Sequence, residues 1–389
     1  MDASSHAVPK QLHRADARFE QTVLLLQGGG ALGSYQAGVY QALAEANLHP
    51  GWVAGISIGA VNSALIAGNP PDQRVERLRE FWETVCTSPL GVPYFSSIPI
   101  PDDGARSLLN QARALSILLF GAPSFFTPRF PPPMPWDVRR ADAVSFYDVA
   151  PLKATLERLV DFDRLNGGDM RLSVGAVNVR SGNFAYFDTT THRITPAHII
   201  ASGSLPPGFP ATEIDGEYYW DGGLVSNTPL LWVLDGRPRR DTLAFQIDLW
   251  SARGELPHNL ADADVRAKEI RFSSRTRAET DRYKYIQKLR TAFATLLERL
   301  PEELRRLPET ALLAAEANDK VCNIVHLIYR AKTYEGSAKD YEFSRRTMEE
   351  HWLAGYRDAA QSIAHREIFE PPDRLDGVRT FDFSSKVPP

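Results

Sequence analysis

From Gln21 to Pro71 the chain runs for 51 residues with one charged side chain, Glu45. A membrane span would be the quick explanation. However, a Gly-Gly-Gly run, Asn47, His49, Pro50, Ser57, Asn62 and Ser63 interrupt every apolar 20-mer within it. What remains is a set of strands and helices buried on both sides. Thr22 to Gln27 (TVLLLQ) is a continuous branched apolar run, as in a parallel strand covered on both faces. The glycines of GGGALG follow at once, SYQAGVYQALAEAN carries helix formers as far as Asn47, and WVAGIS reads as a second short strand. This βαβ order predicts a parallel sheet with right-handed crossovers. It brings the loops Gly28 to Gly33 and Gly55 to Gly59 to the same carboxyl edge of that sheet.

The rest of the 389 residues falls into stretches of different character. Residues 1–20 lack the apolar core of a signal peptide and read as a flexible lead-in. Ten of the 28 prolines fall between Pro89 and Asp137, around an apolar patch, LSILLFGAPSFF. So many prolines predict a loop-like insertion without regular structure, either packed over the core or serving as a lid or acyl-binding surface. PLKATLERLVDF has helical spacing, RLSVGAVNVRSGNFAYFD reads as a hairpin turning at RSGN, and EIDGEYYWDGG gives an Asp-Gly turn and a strand ending at Asp221. From about Ser251 the chain becomes charged and helical. Ile286, Leu289, Phe293, Leu296, Leu297 and Leu300 form one predicted apolar stripe there. VCNIVHLIYR reads as one more strand, a last helix spans about Phe343 to His365, and the tail 371–389 frays.

Composition narrows the function. Hydrophobic residues at 43% and charged residues at 24% describe a globular chain, and a net charge of −4 offers no basic field for nucleic acid. Cys86 and Cys322 stand alone, outside any metal-ligand or disulfide spacing, so a reducing, cytoplasmic setting fits.

GGGALG satisfies G-x-G-x-x-G between strand and helix, the fingerprint of a dinucleotide fold. That fold also wants an acidic residue about 20 positions on, to hold the ribose, and none occurs between Glu45 and Asp72. The second strand ends instead in Gly55-Ile56-Ser57-Ile58-Gly59. G-x-S-x-G at a strand-to-helix turn is a nucleophile elbow, whose glycines permit the sharp turn that lifts a serine hydroxyl above the sheet. By average residue usage the motif arises by chance in about one such chain in ten, so its context carries the reading. A serine nucleophile needs oxyanion donors and a base. Amides of Gly29 and Gly30 at a helix N-terminus can supply the donors. Of the nine histidines none has a supporting motif, including His192, His198, His258, His326, His351 and His365. Asp221 is better placed, at a strand end, with Gly222 and Gly223 letting the chain turn away and leave the carboxylate exposed. Alone, D-G-G is an ordinary turn; with Ser57 it suggests a Ser-Asp dyad.

In these motifs the chain resembles the patatin-like phospholipases, a family of serine lipid acyl hydrolases. The match lies in GGGALG, GISIGA and DGG, in that order, and extends to Phe209-Pro210, Asn227 and Pro229. The resemblance implies Ser57 as nucleophile, Asp221 as its base and the Gly28, Gly29 and Gly30 amides as oxyanion hole. Gly33, Gly55, Gly59, Gly222 and Gly223 support the turns, and neither metal nor organic cofactor is required. Many members carry Arg or Lys where this chain has Leu32, so any help from that cation is absent. The C-terminal IYRAKTYEGSAKDYEFSRRTMEEHW resembles an extension on some bacterial members.

The expected fold is therefore a three-layer α/β/α patatin-like domain with a mostly parallel sheet over 21–250, interrupted by the insertion 89–137. A mainly helical C-terminal region follows over 251–370. The expected activity is hydrolysis of a carboxylic ester on a lipid. The alternatives are a soluble esterase or acyltransferase for short acyl or hydroxyacyl groups and, from another class, a non-catalytic nucleotide-binding or scaffold protein. Partners are a lipid or acyl-ester substrate, with room for homo-oligomers and peripheral membrane contact. Nine Lys or Arg against three Asp or Glu between Arg266 and Arg290 form either a solvated helix face or a docking surface for anionic lipid.

Overall fold

The computed structural model describes residues 18–86, 102–138, 140–273 and 276–383. The first 17 residues of the predicted lead-in, the 89–101 part of the insertion, Arg275 and the last six residues of the tail lie outside the described residues.

Among the described residues nine strands form one sheet. In chain order they are β1 (Gln21–Leu26), β2 (Trp52–Ile56), β5 (Arg171–Asn178), β6 (Phe184–Asp188), β7 (Thr212–Ile214), β8 (Glu217–Asp221), β9 (Thr242–Asp248), β10 (Cys322–Ile328) and β11 (Val378–Phe381). The short β3 (Thr127–Pro128) and β4 (Tyr147–Asp148) pair with each other apart from it. The order across the sheet is β11-β10-β9-β1-β2-β5-β8-β7, with β6 also on β5. The run from β11 to β5 is parallel, while β6, β7 and β8 are antiparallel.

Helices cover both faces, and the alternation along β1 shows why its sequence is continuously apolar. Leu24 and Leu26 join a core beneath the helices Ser34–Glu45, Ile58–Ala67 and Arg345–Ala364. Val23 and Leu25 point the other way, into a second core that includes Leu230, Val233 and Tyr283. The hairpin turn at RSGN and the Asp-Gly turn are present, the latter with positive φ at both Asp215 (52°) and Gly216 (80°).

The C-terminal region is built into this body. Strands β10 and β11 extend the sheet beyond β9, and the helix Arg345–Ala364 lies on Ser34–Glu45. A Cβ on Gly38 would come within 1.9 Å of the Trp352 carbonyl, and one on Gly355 within 2.0 Å of that of Tyr35, so the two backbones touch where side chains are missing.

Two expectations are corrected. The Pro-rich insertion contains an 18-residue helix, Asp103–Phe120, N-capped by the Asp102 side chain on the Ala105 amide. Its prolines lie before Asp102 or after Gly121, which leaves the interval free to wind. The long helix Thr276–Arg299 does not bury the predicted leucine stripe: Tyr283, Gln287, Arg290 and Thr291 face inward, and Leu289 and Leu296 are exposed. Gln287 earns its burial by donating to the carbonyls of Asn318 (3.2 Å) and Lys320 (2.8 Å). The basic run is also partly neutralised, since Arg266 pairs with Glu269, Lys268 with Asp340, and Arg290 with Asp235 and Glu316. Among the described residues no helix is long and apolar enough to cross a membrane.

Candidate active site

Parallel pairing of β1 with β2 sets Leu26 opposite Gly55, so the glycine loop and the serine turn leave the sheet side by side. Ser57 sits at φ 56°, ψ −124°, a strained conformation for a residue with a side chain, directly before the helix Ile58–Ala67. Gly55 and Gly59 make the turn possible. A Cβ on Gly55 would lie 2.2 Å from the Gly59 carbonyl oxygen, and one on Gly59 would lie 2.2 Å from that of Leu26.

The Ser57 side chain lies beside the Asp221 carboxylate, which accepts from the Gly223 amide at 2.7 Å. The expectation of an exposed carboxylate is corrected: Asp221 is 3% exposed. Burial pushes its pKa up to about 6, although the Ser57 hydroxyl and the Gly223 amide favour the ionised form. Gly222 opens the turn Gly222–Leu224 against the Gly175 carbonyl, where a Cβ would come within 2.7 Å.

The glycine loop is braced from several directions. Gly28 donates its N–H to Asn227 Oδ1 at 3.1 Å, and its carbonyl accepts from Asn227 Nδ2 (3.0 Å) and Trp250 Nε1 (2.9 Å). This corrects the assignment of Gly28 as an oxyanion donor, because its N–H is already used. Among the described residues no protein acceptor takes the Gly29 or Gly30 amide. The Ala31 amide donates to the Asp340 carbonyl at 2.7 Å, and the Gly33 carbonyl accepts from Asn62 Nδ2 at 2.9 Å. Gln27, at the end of β1, accepts from the amides of Leu249 (2.7 Å) and Trp250 (3.0 Å) and donates to Thr228 Oγ1 (3.1 Å). The Ser57 amide is held by Ser202, whose Oγ accepts from it at 3.0 Å and donates to the Gly175 carbonyl at 2.7 Å.

Ser57, Asp221 and the three glycines open into a cavity of about 340 Å³ with mostly apolar walls. Phe126 lies at its aromatic centre, with ring centroids 4.8 Å from Tyr147 and 5.3 Å from Phe209, and Phe125 bridges to Phe343 at 5.8 Å. Leu118, Phe125 and Phe126 come from the insertion, Tyr341 and Phe343 from the C-terminal region. Among the described residues no histidine lines this cavity. His198 lies elsewhere, in a capping box with Thr195, and burial first and His192 second push its pKa down to about 4.

Sequence reasoning missed Ser202, Trp250, Asp340 and Phe343. The one available signal was Gln27, a polar side chain closing an apolar strand beside the glycine loop. A space with a hydroxyl beside a buried carboxylate, free amides alongside and apolar walls has the groups needed to bind an acyl group and attack its carbonyl.

Residues 24–234 match a family model described as patatin-like phospholipase, and residues 270–375 match one described as patatin phospholipase. The chain is similar to the crystal structure of VipD from Legionella pneumophila at 15% identity and a TM-score of 0.40, covering 94% of this chain and 72% of that one. It is similar to the type III effector protein ExoU at 15% identity and a TM-score of 0.31, covering 89% of this chain and 53%, about half, of that one. No curated protein matches it in sequence.

Proposed function

The chain belongs to the patatin-like phospholipase family, whose model spans more than half of it, and on that premise we propose that it hydrolyses acyl esters of lipids through a Ser57–Asp221 dyad. The observation that carries the reading is the placing of the Ser57 hydroxyl and the buried Asp221 carboxylate together at the wall of one apolar cavity. Ser57 Oγ attacks the ester carbonyl as its proton passes to Asp221. A carboxylate with a pKa near 6 holds that proton better than an ordinary aspartate, yet stays ionised at neutral pH.

The Gly29 and Gly30 amides stabilise the tetrahedral oxyanion, with the N-terminus of the helix Ile58–Ala67 adding favourable potential. Asp221 then protonates the departing alcohol. It next takes a proton from the water that attacks the acyl-enzyme and returns it to Ser57 Oγ as the fatty acid is released. The apolar walls hold the acyl chain, and no step calls on a cofactor. Two buried free thiols, Cys86 and Cys322, support a reducing, cytoplasmic setting.

Labelling with a serine-directed fluorophosphonate, mapped by peptide mass, tests the nucleophile; p-nitrophenyl esters of increasing chain length test the substrate class. Label on Ser57 and a preference for longer acyl chains are expected. An unlabelled Ser57 in folded protein would refute the mechanism, and a preference for acetyl esters would turn the reading to a short-chain esterase.

A further inference from the structure

The helix Asp103–Phe120 is amphipathic the wrong way round for a helix facing water. Its buried side carries Asn110 and Arg113, with Ala114 and Ile117. Its outward side carries Leu108 (70% exposed), Leu115 (55%) and Leu119 (60%), at spacings of seven and four that keep them on one stripe, with Phe120 beside them. Phe130 (96% exposed) follows β3, which packs against this helix. An apolar face of this extent on a folded surface calls for an apolar partner.

The position of the face indicates which partner. Leu118 is itself 40% exposed and lines the cavity that holds Ser57, so the outer apolar face runs continuously into the cavity wall. The Phe146 amide, on the same rim, donates to the carbonyl of Pro207, another wall residue. Charge supplies no preference for an anionic surface: residues 102–148 contain five Arg and five Asp, and Arg106, Arg129 and Arg140 are paired with Glu350, Asp148 and Asp142.

We propose that this face, Leu108, Leu115, Leu119, Phe120 and Phe130, seats the protein on a lipid surface of zwitterionic or neutral head groups, with the cavity mouth turned toward the acyl chains. The proposal rests on the hydrolase reading only for its purpose; the docking itself is measured separately. The attachment is apolar and shallow, so it resists salt where a basic patch would be screened.

The test is co-sedimentation of the full chain with phosphatidylcholine vesicles between about 0.1 and about 0.5 M salt, together with light-scattering mass and hydrolysis of dispersed p-nitrophenyl butyrate. The wild type is expected to bind at both salt levels and as a monomer. The L108S/L115S/L119S variant should lose at least about tenfold in vesicle affinity, with unchanged melting temperature and butyrate turnover. Phe130→Ser is an independent single change that should weaken binding severalfold should the triple variant fail to fold. Absence of wild-type binding, or variants that bind as the wild type does, would overturn the proposal. So would a wild-type dimer that the triple change dissociates, since the face would then belong to a second copy. Failure of the wild type to cleave butyrate or any longer ester would sink the hydrolase reading and leave the docking result standing by itself.

Discussion

Asn227 grips both polar groups of Gly28, accepting from its N–H at 3.1 Å and donating to its carbonyl at 3.0 Å. The two residues are 199 positions apart, and one amide side chain fixes the two peptide planes on either side of Gly28, at the entry to the glycine loop. The geometry asks for an acceptor and a donor at once, which only a carboxamide of this length provides. Asn227→Leu is expected to lower kcat about tenfold to a hundredfold with little change in KM, as for loss of alignment at an oxyanion site. Asn227→Asp should be worse, because a carboxylate replaces the donor that faces the Gly28 carbonyl. Steady-state kinetics on a soluble ester decides; a rise in KM alone would show that Asn227 serves binding instead.

The proton acceptor fixes the pH profile. With Asp221 pushed up to about 6 by burial, kcat/KM should fall about tenfold per pH unit below that value and level off above it. Ser57→Ala and Asp221→Asn should each remove most turnover, and the double variant should be scarcely worse than either. A flat profile from pH 5 to pH 8, or additive losses in the double variant, would exclude the dyad.

Stability should change in the opposite sense to activity. A carboxyl whose pKa rises from 3.8 to about 6 on folding binds its proton more tightly in the native state. Stability is therefore greatest below about pH 4 for this group and declines as the pH passes through about 6, by up to about 3 kcal/mol. Asp221→Asn removes that cost. At pH 8 the inactive variant should melt a few degrees above the wild type, and at pH 4 the two should coincide. Equal melting temperatures at both values would contradict the burial cost assigned to Asp221.

What could be read beforehand follows the range of the interactions. Strand β1, the glycine loop, β2 and the elbow at Ser57 are written in consecutive residues, where an apolar run meets a glycine pair, so both loops were legible. Asp221 became legible only through its pairing with Ser57, and its burial was not, because the cavity it lines takes its other walls from residues as distant in sequence as Tyr341 and Phe343. The loss of Gly28 as a donor depends on Asn227, far along the chain. The inward face of Thr276–Arg299 was misjudged for the same reason. Gln287 donates to the carbonyls of Asn318 and Lys320 and Arg290 to Asp235, partners that no periodicity within the helix announces.

The C-terminal region and the glycine loop meet where the Asp340 backbone abuts Gly30 and Ala31. Gly30 has φ 56°, and a Cβ there would lie 2.0 Å from the Asp340 carbonyl oxygen, the acceptor of the Ala31 amide. Gly30→Ala therefore meets both a disfavoured backbone conformation and a backbone clash, and should cost more than about 2 kcal/mol in urea unfolding. At Gly29 a Cβ would meet the Leu249 side chain, Cδ1 at 2.7 Å and Cβ at 2.9 Å, but no backbone atom and no positive φ, so Gly29→Ala should be the milder of two destabilising changes. Relief of the Gly30→Ala clash requires the Asp340 backbone to retreat, and with it the neighbouring Tyr341 and Phe343 of the cavity wall. That variant should therefore lose activity toward long acyl esters more than toward acetyl esters, whereas Gly29→Ala should slow both alike. Equal stability of the two alanine variants, with the same chain-length profile, would mean that Asp340 does not brace the loop.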